Sequence, residues 1–230
     1  MHILMTTYNR PDHFEQAARS VAKLKAPVLV VDDGTTGEAY DRNRKICMRA
    51  GFGHLWLPAN RGLAAAMNIG LDFLLADAGI KWISYLQDDV EVHEQTLEVL
   101  ERFQDQAPLI TGHDAKEHAA HSEATVDGWT ILKKRAIRAT HMHASAEFWK
   151  RIYPIPTREL GAPKRTGAGR GLGSNVDWWI VRDAPASIQK AGSEILCIPG
   201  IVRTFLWEAK DSCWNNTQRC GPDDPLRSLK

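Results

Sequence analysis

Short apolar runs that break off at polar clusters, separated by stretches of helical spacing, constrain this chain more than any other feature. Ile3-Leu4-Met5-Thr6-Thr7 and Val28-Leu29-Val30-Val31 are continuous and rich in β-formers, as strands buried on both faces are. The first ends in Tyr8-Asn9-Arg10-Pro11 and the second in Asp32-Asp33-Gly34. Between them Pro11 suits a first helical turn, and Phe14, Ala17, Ala18, Val21 and Leu24 recur at helical spacing. The pattern predicts a second helix over 38–50 ending at Gly51, and a short strand over 54–57. Asn60-Arg61-Gly62 then opens a third helix with Leu63, Met67, Leu71, Leu74 and Ala78 on its apolar face. A fourth run, Trp82-Ile83-Ser84-Tyr85-Leu86, stops at Gln87-Asp88-Asp89-Val90-Glu91. Strand and helix in strict alternation predict an α/β fold with a parallel sheet wound by crossover helices. In such sheets ligands gather beyond the carboxyl ends of the strands, where every polar cluster named here falls.

The acids after the fourth run carry chemistry of their own. A buried strand that delivers carboxylates to its C-terminal end suits a hard cation, Mg²⁺ or Mn²⁺, beside a phosphorylated ligand. The plainer reading is that Asp88, Asp89 and Glu91 begin a solvated loop and favour the N-terminus of the next helix. With 230 residues, 43% of them hydrophobic, the chain can bury a full core as one domain. No apolar run approaches the ~20 residues that span a bilayer, and no basic, apolar and cleavage-site pattern opens the chain, so the expected setting is cytoplasmic. Cys47, Cys197, Cys213 and Cys220 lack CxxC spacing and indicate neither a zinc site nor a disulfide framework.

Taken together, the motifs resemble those of family 2 glycosyltransferases. Thr7-Tyr8-Asn9-Arg10-Pro11, Val30-Val31-Asp32-Asp33-Gly34, Asn60-Arg61-Gly62 followed by Asn68, and Leu86-Gln87-Asp88-Asp89-Val90 stand in that family's order and spacing. Gly173-Ser174-Asn175-Val176-Asp177-Trp178-Trp179, Lys190-Ala191-Gly192 and Ile198-Pro199-Gly200-Ile201-Val202 look like its later acidic motif, helix and final strand. The resemblance implies a GT-A fold: a mostly parallel wound sheet with helices on both faces and a smaller acceptor-side region. Within one structural domain, it places a nucleotide-sugar-binding half at 1–110, an acceptor-binding and catalytic half at 111–205 and a tail at 206–230.

What the resemblance implies chemically is inverting transfer of a sugar from a nucleotide-diphosphate sugar to an acceptor hydroxyl. By that similarity Thr7, Tyr8 and Asn9 frame the nucleotide, Asp32 or Asp33 meets the base or ribose, and Asn60, Arg61, Gly62 and Asn68 belong to the donor site. Arg61 approaches the diphosphate, and Asp89 holds a divalent cation, Mn²⁺ or Mg²⁺, beside Asp88. Two departures weaken the metal site. Gln87 stands where an Asp is usual, keeping hydrogen-bonding capacity for a ribose without charge, and Arg203-Thr204-Phe205 replaces a frequent metal-binding His. Arg203 could instead offset phosphate charge. At the usual base position the chain has Asn175, so Asp177 is the expected general base, with an ordinary helix-start carboxylate as its plainer reading. His141 and His143 are alternative bases, unless the two merely flank Met142 on opposite sides of a strand.

The acceptor side is marked by charge. From Gly128 to Gly173 ten basic residues face two acids, a net of +8 in a chain of +1, so the remainder carries −7. That polarity implies an anionic partner, and Trp129, Trp149 and Tyr153 interleave with the cations as a stacking surface would. Lys164, Arg165 and Arg170, in a Gly-rich stretch, together with Trp129 and Trp178, are the candidate acceptor contacts. The sharpest version is DNA bearing a hydroxymethylated base, as for enzymes of viruses acting in the host cytoplasm. A saccharide or lipid-linked glycan acceptor, a nucleotide-sugar-binding module without catalysis, and a solvated basic face with buried tryptophans are the alternatives.

Overall fold

The computed structural model describes residues 1–115, 118–157, 176, 179–183 and 195–205. Its first half follows the alternating pattern closely. β1 (His2–Thr7) leads into α1 (Pro11–Val21), β2 (Val28–Asp32), α2 (Gly37–Ala50), β3 (Gly53–Trp56), α3 (Leu63–Leu75) and β4 (Trp82–Gln87). Pro11 opens α1, where its missing N–H costs nothing, and Gly51 closes α2 in the left-handed region at φ 72°. Leu24 falls in a 3₁₀ turn after α1, and α3 stops before Ala78, where the Gly79 N–H turns back onto the Asp77 carboxylate at 2.7 Å.

The second half adds β5 (Val90–Val92), α4 (Thr96–Phe103), β6 (Ile110–Thr111), β7 (Ser122–Val126), β8 (Trp129–Lys134), β9 (His141–Ser145), α5 (Ala146–Ile152), a π-helical turn at Trp179–Asp183, β10 (Ile195–Cys197) and β11 (Val202–Thr204). Asp127 and Gly128, at φ 52° and 81°, make the two-residue β7–β8 hairpin turn that an Asp-Gly pair favours. The run read as one final strand, Ile198 to Val202, is a turn: Gly200 at φ 91° separates β10 from β11.

Nine strands form one sheet in the order β3-β2-β1-β4-β9-β6-β10-β8-β7, and β11 pairs with β5 beside it. Among the described strands β9 and β8 run against the rest, so the sheet is mostly parallel in direction. Alternation along each strand feeds two cores. Ile3, Met5, Val28 and Val30 pack with Phe14, Ala17 and Ile46 on one face, while Leu4, Leu29 and Val31 pack with Met67, Leu71 and Trp149 on the other.

The chain steps outward from β1 to β2 to β3 with α1 and α2 on one face, then returns over the opposite face through α3 to β4, on the other side of β1. Right-handed crossovers require that change of face when the direction reverses, and the reversal opens a crevice between the ends of β1 and β4. No helix among the described residues is long and apolar enough to cross a membrane.

Candidate functional site

The carboxyl ends of β1, β2, β3 and β4 lie side by side, and their loops are bound to one another before any ligand arrives. Asp32 ends β2 fully buried: its Oδ1 accepts from the Thr35 N–H and its Oδ2 from Asn43 Nδ2 of α2, both at 2.9 Å. The His54 ring lies 3.7 Å from the same Oδ2. Burial works to raise the Asp32 carboxyl, but His54, Thr35 and Asn43 outweigh it and hold the group below its ordinary value. Thr35 passes the order on, since its hydroxyl accepts from the Asn9 N–H at 2.9 Å and its carbonyl from Trp56 Nε1 at 2.8 Å. Asn9 sits at φ 50°, a left-handed turn that Asn tolerates better than most residues.

Asn43→Leu should therefore destabilise the protein by about 2 kcal/mol at pH 7, because it strips a donor from a buried carboxylate. Asp32, with its folded-state value depressed, contributes stability above its ordinary 3.8 and loses it as the pH falls through the folded value. The deficit of the variant should accordingly narrow below that pH. Urea unfolding at two pH values checks this, and a deficit below about 0.5 kcal/mol at neutral pH would mean that Asn43 does not support Asp32.

Asp33 is used differently. Its two carboxylate oxygens accept from the backbone N–H groups of Arg61 and Gly62, both at 2.8 Å, which pins the loop before α3 to the end of β2. Burial pushes this carboxyl up to about 6, against the pull of those two donors. Gly34 makes the close approach possible: at φ +85°, a Cβ there would lie 2.3 Å from the Ala59 carbonyl carbon and 2.4 Å from Asn60 N. The loop so placed carries Asn60, half-buried, and the exposed side chain of Arg61.

At the crevice itself, Asp88 is buried and paired from the β1 side, accepting from Thr7 Oγ1 at 2.9 Å and from the Arg10 guanidinium. Tyr8, half-buried, lies between those two partners in the chain, and Gln87 closes β4 with its N–H donated to the Thr140 carbonyl at 3.1 Å. Asp89 is the group left unsatisfied, for its Oδ1 is buried without a hydrogen-bond partner among the described residues. Burial pushes its carboxyl up to about 6, with Arg10 and Arg138 pulling it down and Asp88 pushing it up. Such an orphaned oxygen fits a divalent cation. Among the described residues no three His, Cys, Asp or Glu side chains converge as a metal-binding group. One carboxylate is nonetheless enough for Mg²⁺ or Mn²⁺ when waters and ligand phosphates complete the shell.

Other expected residues lie elsewhere. Asn68 spends its amide on the backbone of Ile155, donating to its carbonyl at 2.7 Å and accepting from its N–H at 2.8 Å. His141 and His143 share one face of β9, as residues two apart in a strand must, rather than flanking it. Both are fully buried, with burial pushing each ring down to about 3, so neither imidazole can reach an acceptor as a base. Arg203 forks onto Glu91 at 2.6 and 2.9 Å in an exposed ion pair.

The acceptor-side candidates are partly dispersed. Trp149 is fully buried with its indole N–H on the Ile83 carbonyl at 3.2 Å, so it offers no stacking surface. Trp129 is half-buried at the start of β8, four strands from β4 in the sheet order, or about 19 Å at ordinary strand spacing. Lys134 is buried against Asp114, and Lys150 pairs with Glu147 at 3.0 Å. Lys164, Arg165, Arg170, Asp177 and Trp178 lie outside the described residues. Sequence reasoning overlooked Arg10, Thr35 and Asn43. Arg10 had a signal, a cation at the end of the first motif, whereas nothing local marks Asn43.

Comparison with known proteins agrees with this geometry. The sequence profile described as glycosyl transferase family 2 matches residues 2–142. No curated protein sequence matches the chain. Among solved structures, TarS of S. aureus superposes with a TM-score of 0.59 at 16% identity, covering 86% of this chain and 35% of that one. The mannosyltransferase PcManGT of Pyrobaculum calidifontis, in complex with GDP-Man and Mn²⁺, gives 0.57 at 12% identity over 87% of this chain and 56% of that one. GalNAc-T7 with UDP, GalNAc and Mn²⁺ gives 0.57 at 12% identity, over 88% and 43%. At such identities the likeness is one of fold, and the chain spans about a third to just over half of the length of these proteins.

Proposed function

The chain belongs to glycosyl transferase family 2, and from that premise we propose that it moves a sugar from a nucleoside-diphosphate sugar to an acceptor hydroxyl with inversion. The observation that carries the reading is the crevice between β1 and β4. There Thr7, Arg10 and Asp88 are locked together beside the unsatisfied oxygen of Asp89, and Asp33 pins the Asn60–Gly62 loop across the neighbouring strand end. Structures of the same fold hold UDP, GDP-Man and Mn²⁺, or UDP, GalNAc and Mn²⁺, which supports a nucleotide-sugar ligand here.

In an inverting transfer the acceptor oxygen attacks the anomeric carbon from the face opposite the diphosphate. The bond from that carbon to the diphosphate oxygen breaks as its electrons pass to the leaving group, and the acceptor proton passes to a carboxylate. Charge therefore grows on the diphosphate, and groups that meet it there act most strongly in the transition state. Asp89 would hold the divalent cation, which supplies Lewis-acid stabilisation of that charge. Thr7 and Arg10 keep Asp88 and the end of β1 in place, and Arg61 reaches from its pinned loop towards the phosphates. Asp177 takes the role of base.

For the acceptor, the +8 segment from Gly128 to Gly173 supports an anionic molecule, with hydroxymethylated DNA its sharpest form and a saccharide or lipid-linked glycan the competing one. Incubation with Mn²⁺, a panel of nucleotide sugars, hydroxymethylated DNA and a glycan mixture should yield one acceptor heavier by one sugar residue in mass spectrometry. Nucleotide-sugar binding without consumption in any mixture would instead identify a non-catalytic module. Transfer to DNA should fall steeply with salt, and salt-insensitive transfer would reject a nucleic-acid acceptor.

Asp177→Asn should lower the chemical rate by about 10²-fold or more while leaving donor affinity nearly intact, since a base acts in the transition state. Single-turnover kinetics beside donor titration separates the two. A collapse of donor affinity, or an unchanged rate, would show that this carboxylate is structural.

A further inference from the structure

α3 begins at Leu63, directly after the Asn60–Gly62 loop that Asp33 pins, so whatever fixes the helix also fixes that loop. One face of this helix is tied to the far half of the chain. Asn68 donates from Nδ2 to the Ile155 carbonyl at 2.7 Å and accepts at Oδ1 from the Ile155 N–H at 2.8 Å, across 87 positions. One turn further on, Asp72 accepts from the Tyr153 hydroxyl at 3.2 Å. Residues four apart share a helix face, so the two side chains hold one stretch, Tyr153 to Ile155, against α3. An amide that meets both the N–H and the carbonyl of one residue fixes that residue along the helix as well as against it.

Ile155 is where this tie meets the second half of the site. Its side chain is buried in the core cluster that also holds Met67 and Leu71 of α3, Ile152 of α5, and Val176, Ile180 and Val181. Val176 is the residue before Asp177 in the chain. A close-packed core transmits displacement rather than absorbing it, so the level at which Ile155 is held bears on where Val176 sits. We propose that Asn68 is a positioning residue: by clamping Ile155 to α3, it sets the segment that carries Asp177 relative to the donor loop at the start of the same helix. Asn68 thus serves the chemical step rather than donor affinity, in contrast to the donor-site place that the family resemblance implies for it. This rests on the reading of Asp177 as the base.

Single-turnover transfer from UDP- and GDP-sugars in Mn²⁺, to hydroxymethylated DNA and to the glycan mixture, tests it beside calorimetric titration of UDP and GDP. Asn68→Ala should slow transfer at saturating donor by about 10- to 100-fold, as a misplaced catalytic group does, and change diphosphate affinity by less than about twofold. Asn68→Asp keeps the bond accepted from the Ile155 N–H and loses the donated one, so it should show part of the same loss, and it reads the proposal should Asn68→Ala fail to fold. The decisive comparison is with Asp177→Asn. Once the base is gone its placement no longer matters, so adding Asn68→Ala to that variant should slow transfer by less than about threefold more. Losses that multiply would overturn the proposal, as would an unchanged rate in both Asn68 variants, and a loss of diphosphate affinity of about tenfold or more would return Asn68 to the donor site. No transfer by wild type, or an unchanged rate in Asp177→Asn alone, would instead overturn the functional reading on which the proposal rests, and the proposal with it.

Discussion

Asp89→Asn is expected to cut sugar transfer by about 10²-fold or more while making the protein harder to unfold at neutral pH. The loss of transfer follows from removing a hard anionic ligand at the place where the leaving diphosphate gathers charge. The gain in stability follows from the same carboxyl. Its folded-state value lies at about 6 against an ordinary 3.8, because burial disfavours the charge. The native state therefore binds more protons than the unfolded chain between those values, and the ionised group costs stability in full above pH 6. An amide carries no such cost. The variant should melt higher than wild type at pH 7 to 8 in EDTA, and the gap should close as the pH falls from 6 towards 3.8. Mn²⁺ should raise the melting temperature of wild type and leave that of the variant unmoved. Full transfer by wild type in EDTA would sink the metal role of Asp89, and equal melting curves would sink its account as a strained buried charge.

Gly34→Ala is expected to cost about 3 kcal/mol or more and to weaken nucleotide binding together with stability. A left-handed φ of +85° alone penalises a Cβ, and here the added atom would meet backbone of Ala59 and Asn60 at 2.3 and 2.4 Å. Neither neighbour can rotate away as a side chain would. Moving that backbone would draw Arg61 and Gly62 off the Asp33 carboxylate, so the damage passes directly to the donor loop. Denaturant unfolding with nucleotide titration reads both effects, and a change below about 0.5 kcal/mol would show that the loop can retreat freely.

The first half of the fold was legible because its signals are local. Pro11 at the start of α1, by its fixed φ and missing N–H, and Gly51 at the end of α2 and Gly62 before α3, by their left-handed backbone, each state a boundary through one residue. The apolar runs of β1, β2 and β4 then order themselves as a parallel sheet with little ambiguity. Beyond β4 the signals thin out. β7 is exposed along its whole length, β6 has two residues, and β10 and β11 have three each, too short for any period to show. The Asp127-Gly128 pair was the one strong local mark of the β7–β8 hairpin, and the reading of the sequence passed over it.

The roles of the polar residues divide in the same way. From its own residues the chain shows that carboxylates and amides collect at the strand ends, because an apolar run must stop where its backbone leaves the core. Which carboxylate does what was decided by tertiary structure. Asp32 and Asp33 are adjacent and chemically identical, yet one is saturated by α2 and the next turn, while the other holds the loop before α3. Thr7 meets Asp88 across 81 positions and Arg10 meets it across 78, and two histidines that looked like bases in the sequence are buried on one face of β9 inside the sheet. Burial and pairing at that range come from the side-by-side placement of strands that are distant in the chain. Sequence by itself determined that carboxylates collect at the strand ends, and the fold alone decided that Asp88 is spent on Arg10 while one buried oxygen of Asp89 is left without a hydrogen-bond partner among the described residues.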